Sequence, residues 1–170
     1  MITITNEDNM VLMARYPDKH FDLAIVDPPY GMHRKMDGSG GAGRLMRRFK
    51  RDKPTWDLKP EDTYFDELFR VSKNQIIWGG NNFIEQLYNT TGFIFWFKHQ
   101  PAPNFADGEM AWTSFQNPAK CFNHLCFGAH GQEPNGKIHP TQKPIKLYKW
   151  CLENYAKQGD KIIETHLGSG

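Results

Sequence analysis

Six residues set the architecture of this chain. Phe21-Asp22-Leu23-Ala24-Ile25-Val26 is an apolar run broken only by Asp22, and Asp27-Pro28-Pro29 ends it abruptly. A strand wetted on one face alternates apolar and polar residues; a run without alternation belongs to a strand buried on both faces, as in a parallel sheet. Neither proline can donate to a ladder, so the strand stops at Val26. Gln75 to Trp78 and Gly92 to Lys98 read as further buried strands, and Asp160 to Glu164 as a last one. Between them, Pro60 opens a helix with Phe65, Leu68 and Phe69 on one face, and Asn82 to Tyr88 reads as a short helix. Pro144 to Ala156 carries Ile145, Tyr148, Leu152 and Tyr155 at helical spacing, with Gly159 as its stop. Ile2 to Thr5 alternates and reads as a short strand, after which Asn6 caps a helix from Glu7 to Tyr16. Glu109 to Phe115 and Lys120 to Phe127 read as strands of more antiparallel character. Strands alternating with helices predict an α/β fold, a mostly parallel sheet with helices on both faces.

With 170 residues, 39% apolar and 24% charged, the chain can bury a real core and lacks the composition of a disordered segment. It shows no internal repeat and no interdomain linker, so residues 1–170 read as one domain. No apolar run is long enough for a bilayer, and the first ten residues lack a basic-then-apolar signal pattern; the expected location is the cytoplasm, without a membrane partner. Three cysteines, an odd number without framework spacing, suit a reducing compartment. The Cys121, His124, Cys126 and His130 spacing matches no zinc finger, so no metal is expected.

Charge is local. Between Gly31 and Lys53 stand eight Lys/Arg residues and two acids, a balance of +6 that leaves −4 on the remainder of a chain with net charge +2. Residues 31–56 show no apolar period, and Gly38-Ser39-Gly40-Gly41-Ala42-Gly43 predicts a flexible centre. A basic loop on a mildly acidic body reads either as a polyanion contact, with Arg44, Arg47, Arg48, Lys50 and Arg51 as the phosphate-binding group, or as a solvated surface loop.

Ligands of open parallel sheets bind beyond the carboxyl ends of the strands. Two segments leave strands there with unusual residues, Asp27-Pro28-Pro29-Tyr30 and Glu164 to Gly170. The prolines fix φ and stiffen the turn. Asp27 and the adjacent proline carbonyl present only acceptors, which suits an NH₂ group with two donors, and Tyr30 adds a flat face for a planar ring. A nucleobase amine matches all three features. At average frequencies this tetrapeptide arises by chance in about one such chain in a thousand, so a mere strand-ending turn is the weaker reading.

The chain resembles the DNA amino-methyltransferases that act on adenine or cytosine amines. The carrying segments are Phe21 to Gly31, with Asp27, Pro28, Pro29 and Tyr30 in the place of the base-side catalytic motif, then His139-Pro140-Thr141-Gln142-Lys143-Pro144, then Ile162 to Gly170. Their order, catalytic motif first and glycine loop last, resembles the circularly permuted β class. The resemblance implies a Rossmann-like fold, S-adenosylmethionine as cofactor and double-stranded DNA as partner. It implies cofactor-binding roles for His139, Thr141, Lys143, Glu164, His166, Gly168 and Gly170. In the family's loop the positions of Glu164, Thr165 and His166 are usually aspartate, proline and phenylalanine; Glu164 keeps the acid for the methionine amino group, while His166 alters the packing around the adenosine. Family members continue past the glycine loop with a helix and strands, so a fragment that lacks C-terminal strands and binds cofactor poorly is the expectation.

The implied reaction is methylation of the N6 amine of a flipped adenine, with Tyr30 stacked on the base. A serine-first motif is commoner for cytosine, which makes the cytosine amine the alternative, beside a catalytically inactive DNA-binding fragment. Methylation of RNA or of a protein glutamine is disfavoured by Asp27, usually Asn in the glutamine enzymes, and by the motif order. Trp96, Lys98 and Phe105 to Phe115 resemble the region lining the base pocket, although Trp96 and Trp112 also read as core residues. Residues 100–136 are the expected target-recognition insertion.

Overall fold

The structure, a computed structural model, describes residues 1–31, 58–99, 106–125 and 142–167. Its elements are α1 (Asn9–Ala14), β1 (Phe21–Val26), α2 (Asp62–Val71), β2 (Ser72–Trp78), a 3₁₀ turn (Gly80–Asn82), β3 (Phe93–Phe97), β4 (Gly108–Thr113), β5 (Lys120–Asn123), α3 (Ile145–Tyr155) and β6 (Ile162–Ile163). The strands form one sheet in the order β5-β3-β4-β2-β1-β6. Parallel pairing joins β1 to β2, β1 to β6 and β3 to β5, while β4 runs antiparallel to both β2 and β3. Five strands therefore point one way and β4 the other.

The unbroken apolar run of β1 is explained by cover on both faces. Leu23 and Ile25 share one core with Ile76, Trp78, Ile94, Trp96 and Ala111, and there α3 lays down Leu147, Cys151 and Tyr155. Ala24 and Val26 point the other way, into a core with Ile77, Trp112, the α1 residue Met13 and Phe65, Leu68 and Val71 of α2. Each fully buried Leu, Ile or Phe is worth roughly 1.5–3 kcal/mol, so both layers are needed to hold the sheet. The expected α/β architecture, with helices on both faces of a mostly parallel sheet, is the observed one.

Several local expectations are corrected. Residues 2–5 form no strand; Ile2 and Ile4 are 91% and 72% exposed, because their alternation has no partner strand to face. Asp8, not Asn6, caps α1, its Oδ1 accepting from the backbone N–H of Met10 at 2.8 Å and of Val11 at 3.1 Å. The expected helix from Asn82 to Tyr88 is replaced by the 3₁₀ turn, with the Asn82 and Phe83 N–H groups donating to the carbonyls of Gly79 and Gly80. Gly79 and Gly80 before it are poor helix starters. β5 pairs parallel with β3, with Ile94 opposite Lys120, rather than antiparallel. Finally, α3 buries Leu147, Cys151 and Tyr155 and leaves Ile145 and Leu152 exposed, so its apolar stripe is rotated from the expected one. Leu147 and Cys151, the latter a small apolar residue in this setting, are the two buried positions outside the expected stripe.

Candidate functional site

Strand direction gathers the site. β1, β2 and β6 share one direction, so Asp27, Gly79 and Glu164 each follow a strand at the same end of the sheet. β3 also ends there, with Lys98 just past it, and the reversed β4 begins there, with Glu109 opposite Trp96. Four charged side chains thus arrive at one end from four elements, with Lys143 delivered by the segment that leads into α3.

These groups are in contact. The Tyr30 hydroxyl donates to Asp27 Oδ1 at 2.7 Å, and the Lys143 ammonium pairs with Asp27 Oδ2 and lies 3.2 Å from the Tyr30 oxygen. Lys143 also reaches Glu109 Oε2 at 3.3 Å, while Glu109 Oε1 is held by Lys98. The Lys143 side chain is only 4% exposed and that of Asp27 19%. Burial works against the charge on Lys143, but Asp27 and Glu109 outweigh it and hold the ammonium pKa above its ordinary value. Burial likewise works to raise Glu109, and Lys143 and Lys98 hold it below the usual range. Burial and the Asp27 and Glu109 charges push the Tyr30 phenol well up, so it stays a neutral donor.

Gly79 makes room for the Tyr30 ring. It sits at φ +67°, and a Cβ there would lie 2.1 Å from Tyr30 Cε1. The ring is seated edge-on to Phe83, centroids 6.1 Å apart at 65°. Tyr30 is therefore placed by packing as well as by the stiff prolines before it.

The second half of the site follows β6. Glu164 Oε1 accepts from the His166 N–H at 2.7 Å, while its Oε2 is buried without a partner among the described residues. Burial raises the Glu164 carboxyl to about 8, against the effect of the His166 N–H bond. Burial lowers His166 to about 4. The imidazole is fixed by Asn9 Nδ2 at 3.0 Å from Nε2 and by Thr165 Oγ1 at 2.9 Å from Nδ1, and Tyr64 stands edge-on to it at 5.1 Å. The Tyr64 and Thr165 hydroxyls are 2.7 Å apart. An orphaned, buried carboxyl oxygen beside a rigid aromatic wall fits a ligand that brings N–H donors or a positive charge.

Of the residues singled out by sequence, Asp27, Tyr30 and Lys143 meet, and Glu164 and His166 lie at the neighbouring strand end. Lys143, assigned to the cofactor by resemblance, contacts Asp27, Tyr30 and Glu109. His139, Thr141, Gly168, Gly170, Arg44, Arg47, Arg48, Lys50 and Arg51 lie outside the described residues, as do Cys126, His130 and most of the 31–56 loop. Trp96 and Trp112 are core side chains, 1% and 7% exposed, with their indole N–H groups donating to the carbonyls of His124 and Tyr88. Glu109, Asn9, Tyr64 and Gly79 were not singled out. Glu109 sat unremarked within the Phe105 to Phe115 stretch, and Tyr64 read only as part of an amphipathic helix. A shallow groove lined by Met10, Val11, Ala14, Thr63, Asp66, Glu67 and Arg70 contains none of these groups.

No family model matches the chain. The backbone does have a counterpart: TTHA0409 from Thermus thermophilus, a proposed DNA modification methylase, aligns over 94% of this chain and 77% of its own at a TM-score of 0.51 and 14% identity. The two chains share a fold. The selenomethionine derivative of that protein aligns over 93% of this chain and 76% of its own, at a TM-score of 0.49 and 14% identity. Among the described residues, no helix is long and apolar enough to cross a membrane.

Proposed function

We propose that this chain is the catalytic part of a DNA methyltransferase that carries a methyl group from S-adenosylmethionine to the N6 amine of an adenine flipped out of duplex DNA. The observation that carries the reading is the adjacency, at the carboxyl ends of β1 and β6, of the proline-locked acceptor Asp27 and Glu164, a carboxyl whose buried Oε2 has no partner among the described residues. The fold shared with TTHA0409 and the permuted motif order agree with it.

When bound, S-adenosylmethionine supplies an electrophilic methyl on a sulfonium. Glu164 would hold its methionine ammonium through Oε2, with His166, Gly168, Gly170, His139 and Thr141 as the remaining contacts that the resemblance implies, while the Lys143 ammonium is taken up by Asp27 and Glu109 instead. On the base side, the Asp27 carboxylate and the Pro28 carbonyl accept the two N–H bonds of the amine. They localise its lone pair and stabilise the positive charge that grows on nitrogen as its bond to carbon forms. The nitrogen then sheds one proton, for which Asp27 is the acceptor in reach. Tyr30 offers its ring to the base, offsetting part of the few kcal/mol that unstacking costs. Arg44, Arg47, Arg48, Lys50 and Arg51 supply the phosphate contacts, and the parts of residues 100–136 outside the sheet strands β4 and β5 read the target.

Mass spectrometry of digested, unmethylated duplex DNA after incubation with the full gene product tests this. N6-methyladenine is expected, and Asp27→Ala should abolish it with circular dichroism unchanged. N4-methylcytosine would select the cytosine alternative. A folded protein that binds DNA and leaves every base unmodified would leave only the inactive DNA-binding reading.

A further inference from the structure

Both oxygens of the Asp27 carboxylate are already engaged, Oδ1 by the Tyr30 hydroxyl and Oδ2 by the Lys143 ammonium. The ammonium sits 5.7 Å from the Tyr30 ring centre and 5.6 Å from that of Trp78. A nitrogen with N–H donors on a carboxylate, beside a phenol ring, has the chemistry of the amine that the proposed reaction requires at that spot. A positive charge there also opposes the charge that must grow on a substrate nitrogen. Lys143 and the substrate amine therefore compete for one position.

Glu109 gives the displaced lysine somewhere to go. Its Oε2 stands 3.3 Å from the Lys143 nitrogen, and its Oε1 is fixed by Lys98, whose own ammonium lies over the Trp96 ring at 4.9 Å. A buried ammonium that left Asp27 without a second carboxylate would be stranded at high cost. With Glu109 in place, the lysine changes partner without losing its counter-charge. Resting on the function proposed above, we propose that Lys143 is an internal occupant of the amine site that transfers from Asp27 to Glu109 when the base enters, with Glu109 and Lys98 as positioning residues for that exchange.

Steady-state methyl transfer to unmethylated duplex DNA, with labelled S-adenosylmethionine, tests the exchange in the full protein. Glu109→Gln removes the receiving charge, so turnover at saturating DNA should fall about tenfold or more. Adding Lys143→Met to Glu109→Gln removes the occupant and should restore most of the loss, a rescue that a merely structural role would not give. A double variant as slow as Glu109→Gln, in a wild type that transfers methyl, overturns this inference and leaves the proposed function standing. A wild type that transfers no methyl overturns both. Should the double variant not fold, lysine-ammonium nitrogen NMR of the wild type decides. The Lys143 signal should shift on addition of duplex DNA with sinefungin, and a signal that stays in place overturns the exchange.

Discussion

Replacing Glu164 by Gln removes a single ionisation from the buried end of β6, and its effect on stability has a definite shape. An unfolded chain loses this proton from the ordinary value of 4.5 upward, whereas the folded protein keeps it until about 8. The folded state binds the extra proton across that window, so stability falls as pH rises, by about 1.36 kcal/mol per pH unit. His166 acts in the opposite sense: unfolded it takes a proton below 6.5, folded only near 4, so stability falls as pH drops between those values. From 4.5 to 6.5 the two slopes cancel, and from 6.5 to 8 Glu164 acts alone. Its share there is about 2 kcal/mol, or about 4–8 °C in melting temperature for a domain of this size. Gln keeps the shape and the acceptor for the His166 N–H, so Glu164→Gln should gain about 2 kcal/mol on the wild type between those upper limits. In the lower window the variant should expose the His166 slope that the wild type hides. Urea unfolding of both proteins, followed by far-ultraviolet dichroism at half-unit steps of pH, measures the difference directly. A difference that stays constant from neutral pH to 8 would mean that Glu164 is already ionised in the folded protein, and would refute its assignment as a buried, unmatched acid.

The remaining predictions concern the corner and the loop. Gly79→Ala forces a side chain into the left-handed region and toward the Tyr30 ring, and should cost about 2 kcal/mol or more, falling to about 1 kcal/mol in a Tyr30→Ala background. Urea denaturation of the four proteins checks this, and equal costs in both backgrounds would dismiss the clash. Neutralising Arg47, Arg48 and Arg51 together should weaken duplex binding and lower the slope of log K against log salt by up to about 2.7. An unchanged slope in a fluorescence-anisotropy titration would return the loop to the solvated reading.

Much of the fold was legible because burial writes itself into β1 and α2. Phe21 to Val26 needed two covered faces, and of the expected face Phe65, Leu68 and Phe69 the first two are fully buried, joined by Tyr64 and Val71. What escaped was decided by partners rather than by local pattern. Ile2 to Thr5 has the alternation of a strand and no neighbour to pair with; Asn6 and Asp8 are both good caps, and the fold uses the second. The glycine that precedes the 3₁₀ turn, Gly79, answers to Tyr30, about fifty positions earlier in the chain, whose ring fills the space a side chain there would take. Asp27 and Tyr30 were identifiable because the unusual chemistry is contiguous. Lys143 was assigned a different contact, since nothing in its neighbourhood names a partner 116 residues away.

The strand that contradicts the parallel rule is the one that completes the charge balance of the site. In a wholly parallel sheet only carboxyl ends reach the ligand-binding edge, and the residues there come from strand-to-helix loops. Because β4 runs in reverse, its first residues stand at that edge on a strand, with Glu109 held in register opposite Trp96. Had β4 run with its neighbours, Thr113 would occupy that edge and Lys98 and Lys143 would share only Asp27 among these acids. Two buried or half-buried ammonium groups would then face one carboxylate, an imbalance that the interior tolerates poorly. The reversal supplies the second acid from a rigid element rather than a loop. It thereby sets the Lys98, Glu109, Lys143 and Asp27 sequence of alternating charge, which sequence patterning along any one segment cannot display.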